Sequence, residues 1–184
     1  MPDSKFAKTL YRWRVRSGLF VLVAILVLAW PTWRSILIGF AVCALGLLIR
    51  AWAAGHIRKE KTLAVSGPYR FTRNPLYLGN FLLGLSIAVA THSWWCVGLF
   101  AAYFLVFYPP VILEERERMK RLFPKEYEEY GKKVPLVLPK WNRVMGPAGT
   151  KFDPALYFKN KEYRALTGSL IAYGILIAKL LLLP

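Results

Sequence analysis

The chain has 184 residues, is 56% hydrophobic and carries a formal net charge of +16. An ordinary soluble domain is excluded by how the apolar residues run together, and a basic nucleic-acid binder would not need long apolar runs. Both figures are met if the apolar residues lie in lipid and the basic ones at its edge.

The first apolar stretch, Gly18 to Trp30, ends at the break Pro31-Thr32-Trp33-Arg34. Arg12, Arg14 and Arg16 precede it as the basic region of a secretory leader would, but no small-residue cleavage pattern follows Trp30 and a second apolar run starts at once. It is therefore expected to be a span, about 15–31. The second, 35–54, carries only Arg50, near its end. Leu76 to Pro110 has no charged residue and would measure about 50 Å as one helix, against a hydrocarbon core of about 30 Å. Thr91-His92-Ser93 divides it into a hairpin of two spans, 75–90 and 94–113, and Pro109-Pro110 is expected to disrupt the second of them. The last, 166–183, carries only Lys179, expected to snorkel to the interface. The expected fold is one all-α domain over 1–184: a polytopic transmembrane helical bundle of about five spans.

Basic residues orient it. Residues 1–17 hold five Lys/Arg, 50–75 hold six and 114–165 hold thirteen, which is 24 of the 26. With five spans all three segments fall on one side, cytoplasmic by the positive-inside rule, with the C-terminus opposite. Anionic lipid is the expected partner of that face, and nucleic acid is not. Cys43 and Cys96 lie inside spans and are expected to pack rather than pair or bind metal.

Two cytoplasmic segments, 55–75 and 114–165, carry the polar chemistry. In the first, Gly67-Pro68 forms a turn, and Asn74-Pro75 starts the third span with Asn74 as N-cap and Pro75 at the first helical position. Free N–H groups and the positive dipole end there suit an anion. In the second, Glu114 and Glu115 follow an apolar helix at the membrane boundary, where acids are costly unless paired or functional. The plain alternative is a ladder, Glu114 with Arg118 and Glu117 with Arg121. His56 and His92 are far apart, and no metal set or Ser/His/Asp set converges.

Together these segments resemble the isoprenylcysteine carboxyl methyltransferases and the related phospholipid N-methyltransferases of membranes. The resemblance rests on Gly67-Pro68-Tyr69, on Arg73-Asn74-Pro75-Leu76-Tyr77-Leu78-Gly79 entering a span, on Glu114-Glu115 at the end of the next, and on Phe123 to Tyr130 with Val134-Pro135, in that order. It covers about residues 46–140. Asn74 stands where the family usually has His, and Asn cannot take a proton at neutral pH. A carboxylate acceptor needs no base, whereas an ammonium acceptor must first lose a proton.

The resemblance implies S-adenosylmethionine as methyl donor, held by Gly67, Pro68, Tyr69, Asn74, Pro75, Tyr77, Tyr127, Tyr130 and one of Glu114 and Glu115. On this reading Glu114 or Glu115 takes the donor's amino group, an aromatic face of Tyr127 or Tyr130 meets the sulfonium, and Arg73 clamps the carboxylate of a lipophilic acceptor entering from the membrane. Gly79, Gly84 and Ala88 allow close helix approach or leave room for a chain. His56 is expected to be solvated. Lys151 to Arg164 reads as interfacial, with Tyr157, Phe158 and Tyr163 facing lipid and Asn160, Glu162 and Arg164 able to close over the pocket. Competing readings are a phospholipid N-methyltransferase, a nicotinamide-dependent membrane reductase of the sterol-reductase type, and a non-catalytic anionic-lipid binder.

Overall fold

The computed structural model of the chain describes residues 5–58, 62–140 and 151–182. Residues 59–61 of the first polar segment, 141–150 of the second and the end of the last span at 183 lie outside them. The elements run α1 (Lys5–Val27), α2 (Trp33–Ala54), a 3-10 turn (Gly67–Arg70), α3 (Pro75–Ala90), α4 (Trp94–Leu122), α5 (Pro124–Lys133), α6 (Pro154–Lys159) and α7 (Tyr163–Leu182). No strand occurs among the described residues.

Five of these helices run end to end with alternating sense. The Cys96 thiol lies 3.7 Å from the Ile25 carbonyl, and the Tyr103 hydroxyl donates to the Arg14 carbonyl at 2.9 Å, so α1 and α4 are antiparallel neighbours. Ser35 Oγ donates to the Ala90 carbonyl at 2.9 Å, tying the start of α2 to the end of α3. Lys179 Nζ donates to the carbonyls of Val27 at 2.5 Å and Leu26 at 3.2 Å, tying the end of α7 to the end of α1. The three basic segments therefore share one end of the bundle. Lys179 satisfies the last carbonyls of α1, where the helix dipole favours a cation.

Among the described residues, three helices are long and apolar enough to cross a membrane, α2, α4 and α7. The two other expected spans fall short for separate reasons. α3 has 16 residues, about 24 Å at ~1.5 Å per residue. α1 carries Arg12, Arg14 and Arg16 in its first half. The outer faces are apolar: Leu19, Phe20, Leu37, Phe40, Leu48, Leu105 and Leu181 are all exposed. Trp30, Trp33, Trp94 and Trp95 are exposed together at the end away from the basic segments, as an aromatic belt. The chain is an integral membrane protein.

Local sequence explains the helix ends. Thr32 and Ser35 form a reciprocal capping box at the start of α2, with Ser35 N–H on Thr32 Oγ1 at 3.1 Å and Thr32 N–H on Ser35 Oγ at 3.0 Å. The expected disruption at Pro109-Pro110 does not occur: α4 runs through both prolines for 29 residues. Proline's φ is already helical, and the cost is two missing N–H donors, which membrane helices tolerate.

α2 and α3 form the most extensive helix pair. A Cβ on Gly39 would lie 2.6 Å from the Ser86 carbonyl, and one on Gly46 would lie 3.2 Å from the Gly79 carbonyl. Small residues let the two backbones approach, which drives helix association where hydrophobicity cannot. At Gly84 the vacated volume is filled by the Phe100 ring and Ala88 is fully buried, so neither leaves room for a lipid chain. Gly39→Val is expected to destabilise the protein by about 1–3 kcal/mol, whereas Gly98→Ala, whose Cβ meets nothing within 4 Å, is expected to be neutral. Thermal unfolding in detergent separates the two.

Candidate active site

The site is assembled at the basic end by backbone hydrogen bonds between distant segments. Gly67 opens the 3-10 turn at φ +57, where a side chain would be strained. His56 packs directly against it, bonds the Trp52 carbonyl through Nδ1 at 2.9 Å and faces the Phe152 ring. It is therefore a half-buried strut between the end of α2 and the turn.

The turn delivers Tyr69 into the interior, where it is 6% exposed. Its carbonyl accepts the Tyr130 hydroxyl at 2.5 Å. Its own hydroxyl is buried and has no hydrogen-bond partner. Burial pushes the Tyr69 phenol well above its ordinary range, and the charges of Glu162 and Glu115 add to the rise against Arg50. Burial does the same to Tyr130. Both therefore stay protonated.

Residues 71–74 are clasped by the run after α5. Arg73 N–H donates to the Pro135 carbonyl at 2.9 Å, Thr72 Oγ1 to the Val137 carbonyl at 2.8 Å, and Asn74 Nδ2 to the Leu136 carbonyl at 2.9 Å. Lys140 N–H closes the clasp on the Phe71 carbonyl at 3.0 Å. Val134, 1% exposed, anchors it beside Tyr127 and Tyr130 in a small core with Leu63, Val65, Met119 and Phe123. Asn74 occupies the N-cap position of α3, but its side chain does not cap the helix as expected, because the Leu136 carbonyl takes its amide. Pro75 has no N–H, and the Tyr77 N–H bonds the Asn74 carbonyl at 3.1 Å. The helix start thus offers an anion fewer free donors than the sequence implied.

Arg73 lies with its guanidinium carbon 5.3 Å from the Tyr127 ring centroid. Its Nε is buried and has no partner. Burial raises the Tyr127 phenol pKa, opposed by the charge and hydrogen bonding of Arg73 and by Arg116, and reinforced by Glu115. Arg73, Glu115, Arg116 and Tyr127 therefore share one electrostatic neighbourhood. The Tyr127 face expected to meet a sulfonium carries a guanidinium instead, and the Tyr130 hydroxyl is committed to Tyr69. Among the carboxylates after the apolar helix, Glu115 pairs with Arg118 at 3.9 Å and Glu117 with Lys120 at 2.8 Å, both at i,i+3 spacing. Tyr77 points into the bundle, edge-on to Tyr108 at 6.0 Å.

A second polar group was not anticipated as a unit. Arg50 forms a 2.7 Å ion pair with Glu162 of the α6–α7 link and a hydrogen bond with Asn80 of α3. Asn160 Nδ2 donates to the Ala54 carbonyl at 3.1 Å, so the link is tied to the end of α2. Tyr157 lines a groove with Arg50 and Glu162, and Phe158 and Tyr163 are exposed. Among the described residues, no group of three or more His, Cys, Asp or Glu could hold a metal ion.

The phospholipid methyltransferase family matches residues 33–126. The cobalt-zinc-cadmium resistance protein CzcN of Cupriavidus metallidurans is 35% identical over 120 residues, covering 62% of this chain and 55% of its own length. The nickel-cobalt-cadmium resistance protein NccN of Alcaligenes xylosoxydans xylosoxydans is 32% identical over 137 residues, covering 70% and 63%. This chain thus spans less than two thirds of either relative. Protein-S-isoprenylcysteine O-methyltransferase of Schizosaccharomyces pombe is 30% identical over 86 residues, covering 47% and 36%. No solved structure matches.

Tyr130→Phe would leave the buried Tyr69 carbonyl without its donor and is expected to cost about 1–3 kcal/mol in unfolding. The raised pKa values of Tyr69 and Tyr130 add a pH signature. Their contribution is complete below the unfolded value of about 10 and is lost as pH rises towards the folded value, so stability should fall above about pH 10. Denaturation followed across alkaline pH measures this, and Tyr130→Phe should flatten the fall.

Proposed function

Since the chain belongs to the phospholipid methyltransferase family, we propose that it is a membrane methyltransferase that uses S-adenosylmethionine to methylate a lipophilic carboxylate at the cytoplasmic boundary of the bilayer. The basic end of the bundle then faces the cytoplasm, with the N-terminus on that side and the C-terminus opposite, following the distribution of Lys and Arg. Anionic lipid headgroups line that end.

The observation that carries the reading is Arg73 lying over the Tyr127 ring with a buried Nε that has no acceptor, while the charge of Glu115 also bears on Tyr127. When bound, S-adenosylmethionine supplies an electrophilic methyl on a sulfonium whose amino-acid end is zwitterionic. That end asks for one anionic acceptor and one cationic donor close together. Glu115, with Glu114 beside it, is the acceptor for the ammonium, and Arg73 Nε is the donor for the carboxylate. Sequence alone assigned Arg73 to the methyl acceptor; its neighbours in the fold favour the cofactor instead. Gly67 and Pro68 shape the turn, and Pro75 starts α3 against the clasp. In the residues' own roles, Tyr130 and Asn74 hold the walls while Arg73 and Glu115 bind.

The reaction class follows from which groups can move a proton. Asn74 cannot, and its amide is held by Leu136. Tyr69 and Tyr130 are kept protonated by burial. A carboxylate acceptor, ionised above a pKa of about 4, needs no base. With the donor bound, a carboxylate oxygen would take the methyl group, giving an ester as the methyl–sulfur bond breaks and the neutral thioether leaves, and positioning would supply most of the rate.

A second reading, N-methylation of a phospholipid amine, is favoured by the family's own description. Membranes containing the protein, given tritiated-methyl donor, are expected to yield label in an apolar product that alkali releases. Glu115→Gln and Arg73→Ala should each reduce the label about tenfold to a hundredfold, the loss of one charge-assisted hydrogen bond of ~1.5–3 kcal/mol. Alkali-stable label in polar lipid would replace the ester reading with the amine reading. No label from folded protein would end both.

A further inference from the structure

Two tryptophans mark the thickness of the membrane along α2. Trp33 opens the helix within the exposed belt at the far end, and Trp52, 43% exposed, stands near the other end. At ~1.5 Å per residue they are about 29 Å apart along the axis, which matches a hydrocarbon core of about 30 Å. Trp52 therefore stands at the second interface, where its ring is favoured. Leu45 and Leu48 are exposed on the same face below it, so α2 presents a lipid-facing stripe that ends at Trp52.

α3 stops short of that level. Gly39 lies against the Ser86 carbonyl and Gly46 against the Gly79 carbonyl, so the two helices run antiparallel with Pro75 abreast of Arg50. From there to the end of α2 at Ala54 is about 6 Å of axis that α3 leaves unfilled. Residues 71–74 fill it, and Phe71 lies against Trp52 with ring centroids 6.2 Å apart. The clasp is thus level with the membrane interface, although its backbone is not helical.

The run that closes the clasp is suited to that depth. The carbonyls of Pro135, Leu136 and Val137 all accept hydrogen bonds, from Arg73, Asn74 and Thr72. The amides of Val134 and Lys140 are bonded to the Tyr130 and Phe71 carbonyls, and Pro135 and Pro139 have no N–H. Non-helical backbone is tolerated at low dielectric only where its polar groups are met in this way. Leu138 nevertheless turns outward from this run and is 77% exposed. Lys140 beyond it is exposed as well. The Lys140 bond to Phe71, and the contact of Phe71 with Trp52, bring this exposed leucine to the top of the α2 stripe.

We propose that the 135–140 run is a loop seated in the leaflet at the basic end, with the Leu138 side chain among the acyl chains beside Trp52 and the Lys140 ammonium at the headgroup phosphates. Lipid is the occupant of this surface because it continues the stripe of Leu45, Leu48 and Trp52 and carries a cation at its rim. Leu138 then fastens the clasp that holds Arg73 and Asn74 to the bilayer. The polar seams open at the hydrocarbon boundary rather than in bulk water. The inference goes beyond the enzymatic reading and does not depend on it, since it invokes neither cofactor nor acceptor.

The test places a nitroxide on Leu138→Cys in the whole chain, embedded in nanodiscs that contain anionic lipid. Cys43 and Cys96 are buried and stay unlabelled. Leu105→Cys, on the exposed apolar face of α4, and Lys132→Cys, at the polar surface of α5, are the lipid and water references. Collisions with oxygen, which concentrates in hydrocarbon, are compared with collisions with a water-soluble nickel chelate. At position 138 oxygen should outweigh the chelate, as at 105, with chelate collisions about tenfold fewer than at 132, the partition worth of one buried leucine. The second readout is hydrogen exchange at the Arg73 and Lys140 amides, which donate across the clasp. Leu138→Asp should speed both about tenfold relative to Leu138→Phe, whereas a leucine facing water would accept either substitution without change. Chelate access at 138 equal to that at 132 would overturn the proposal. So would protection from both quenchers, which reports a protein partner or a second copy, and so would exchange unaffected by Leu138→Asp. Neither readout involves methyl transfer, so an inactive protein leaves the loop's placement standing, and a water-exposed loop leaves the enzymatic reading standing.

Discussion

Gly46 and Gly79 meet where α2 and α3 pack, and the backbone of one helix lies against the other with no side chain between them. In lipid the two helices gain little from hydrophobicity, because acyl tails are as apolar as leucine, so close packing and polar contacts must hold them. The glycines supply the packing. They also make room for a polar contact, because Arg50 passes over Gly79 to reach Asn80 and, from there, Glu162. A Cβ at Gly79 would push the guanidinium out of that path and leave Glu162 buried and unpaired. One missing side chain therefore underlies the helix pair and the placement of the link before α7.

The second constraint is backbone satisfaction at the basic end. The stretch 71–74 has no regular structure, yet it is half buried or buried, so its donors and acceptors need partners. The Val134–Lys140 run supplies them, residue against residue, and Tyr130 adds a bond to the Tyr69 carbonyl. The clasp brings the end of α4 and the start of α3 together. Arg73 and Glu115, 42 positions apart in the chain, share the neighbourhood of one tyrosine as a result. On the proposed reading, cofactor binding needs both residues rather than either alone.

Much of this was legible in the residues. The apolar runs, the turn at Thr91-His92-Ser93 and the basic segments give the helices and the end at which they gather, because span length and charge are set by composition. The two polar seams were legible as an ordered motif. What was not legible needed three-dimensional partners. Lys179 reads as a snorkelling cation until the end of α1 is found beside it. Asn74 reads as a helix cap until the Leu136 carbonyl takes its amide. Tyr127 reads as an open aromatic face until Arg73 covers it. Arg50 and Glu162 are separated by more than a hundred residues, and only a lone charge at the end of an apolar helix hinted at the pair. Pro109-Pro110 misled in the other direction, because proline's local preference reads as a break and the surrounding helix tolerates it.

On the proposed reading the two seams form one cofactor site. Isothermal titration of S-adenosylmethionine into the nanodisc-embedded protein tests it most directly. Saturable binding is expected that is lost in Arg73→Ala and in Glu115→Gln while Tyr130→Phe, though less stable, still binds. Absence of binding to protein whose unfolding transition is intact, or binding indifferent to both Arg73 and Glu115, would contradict it.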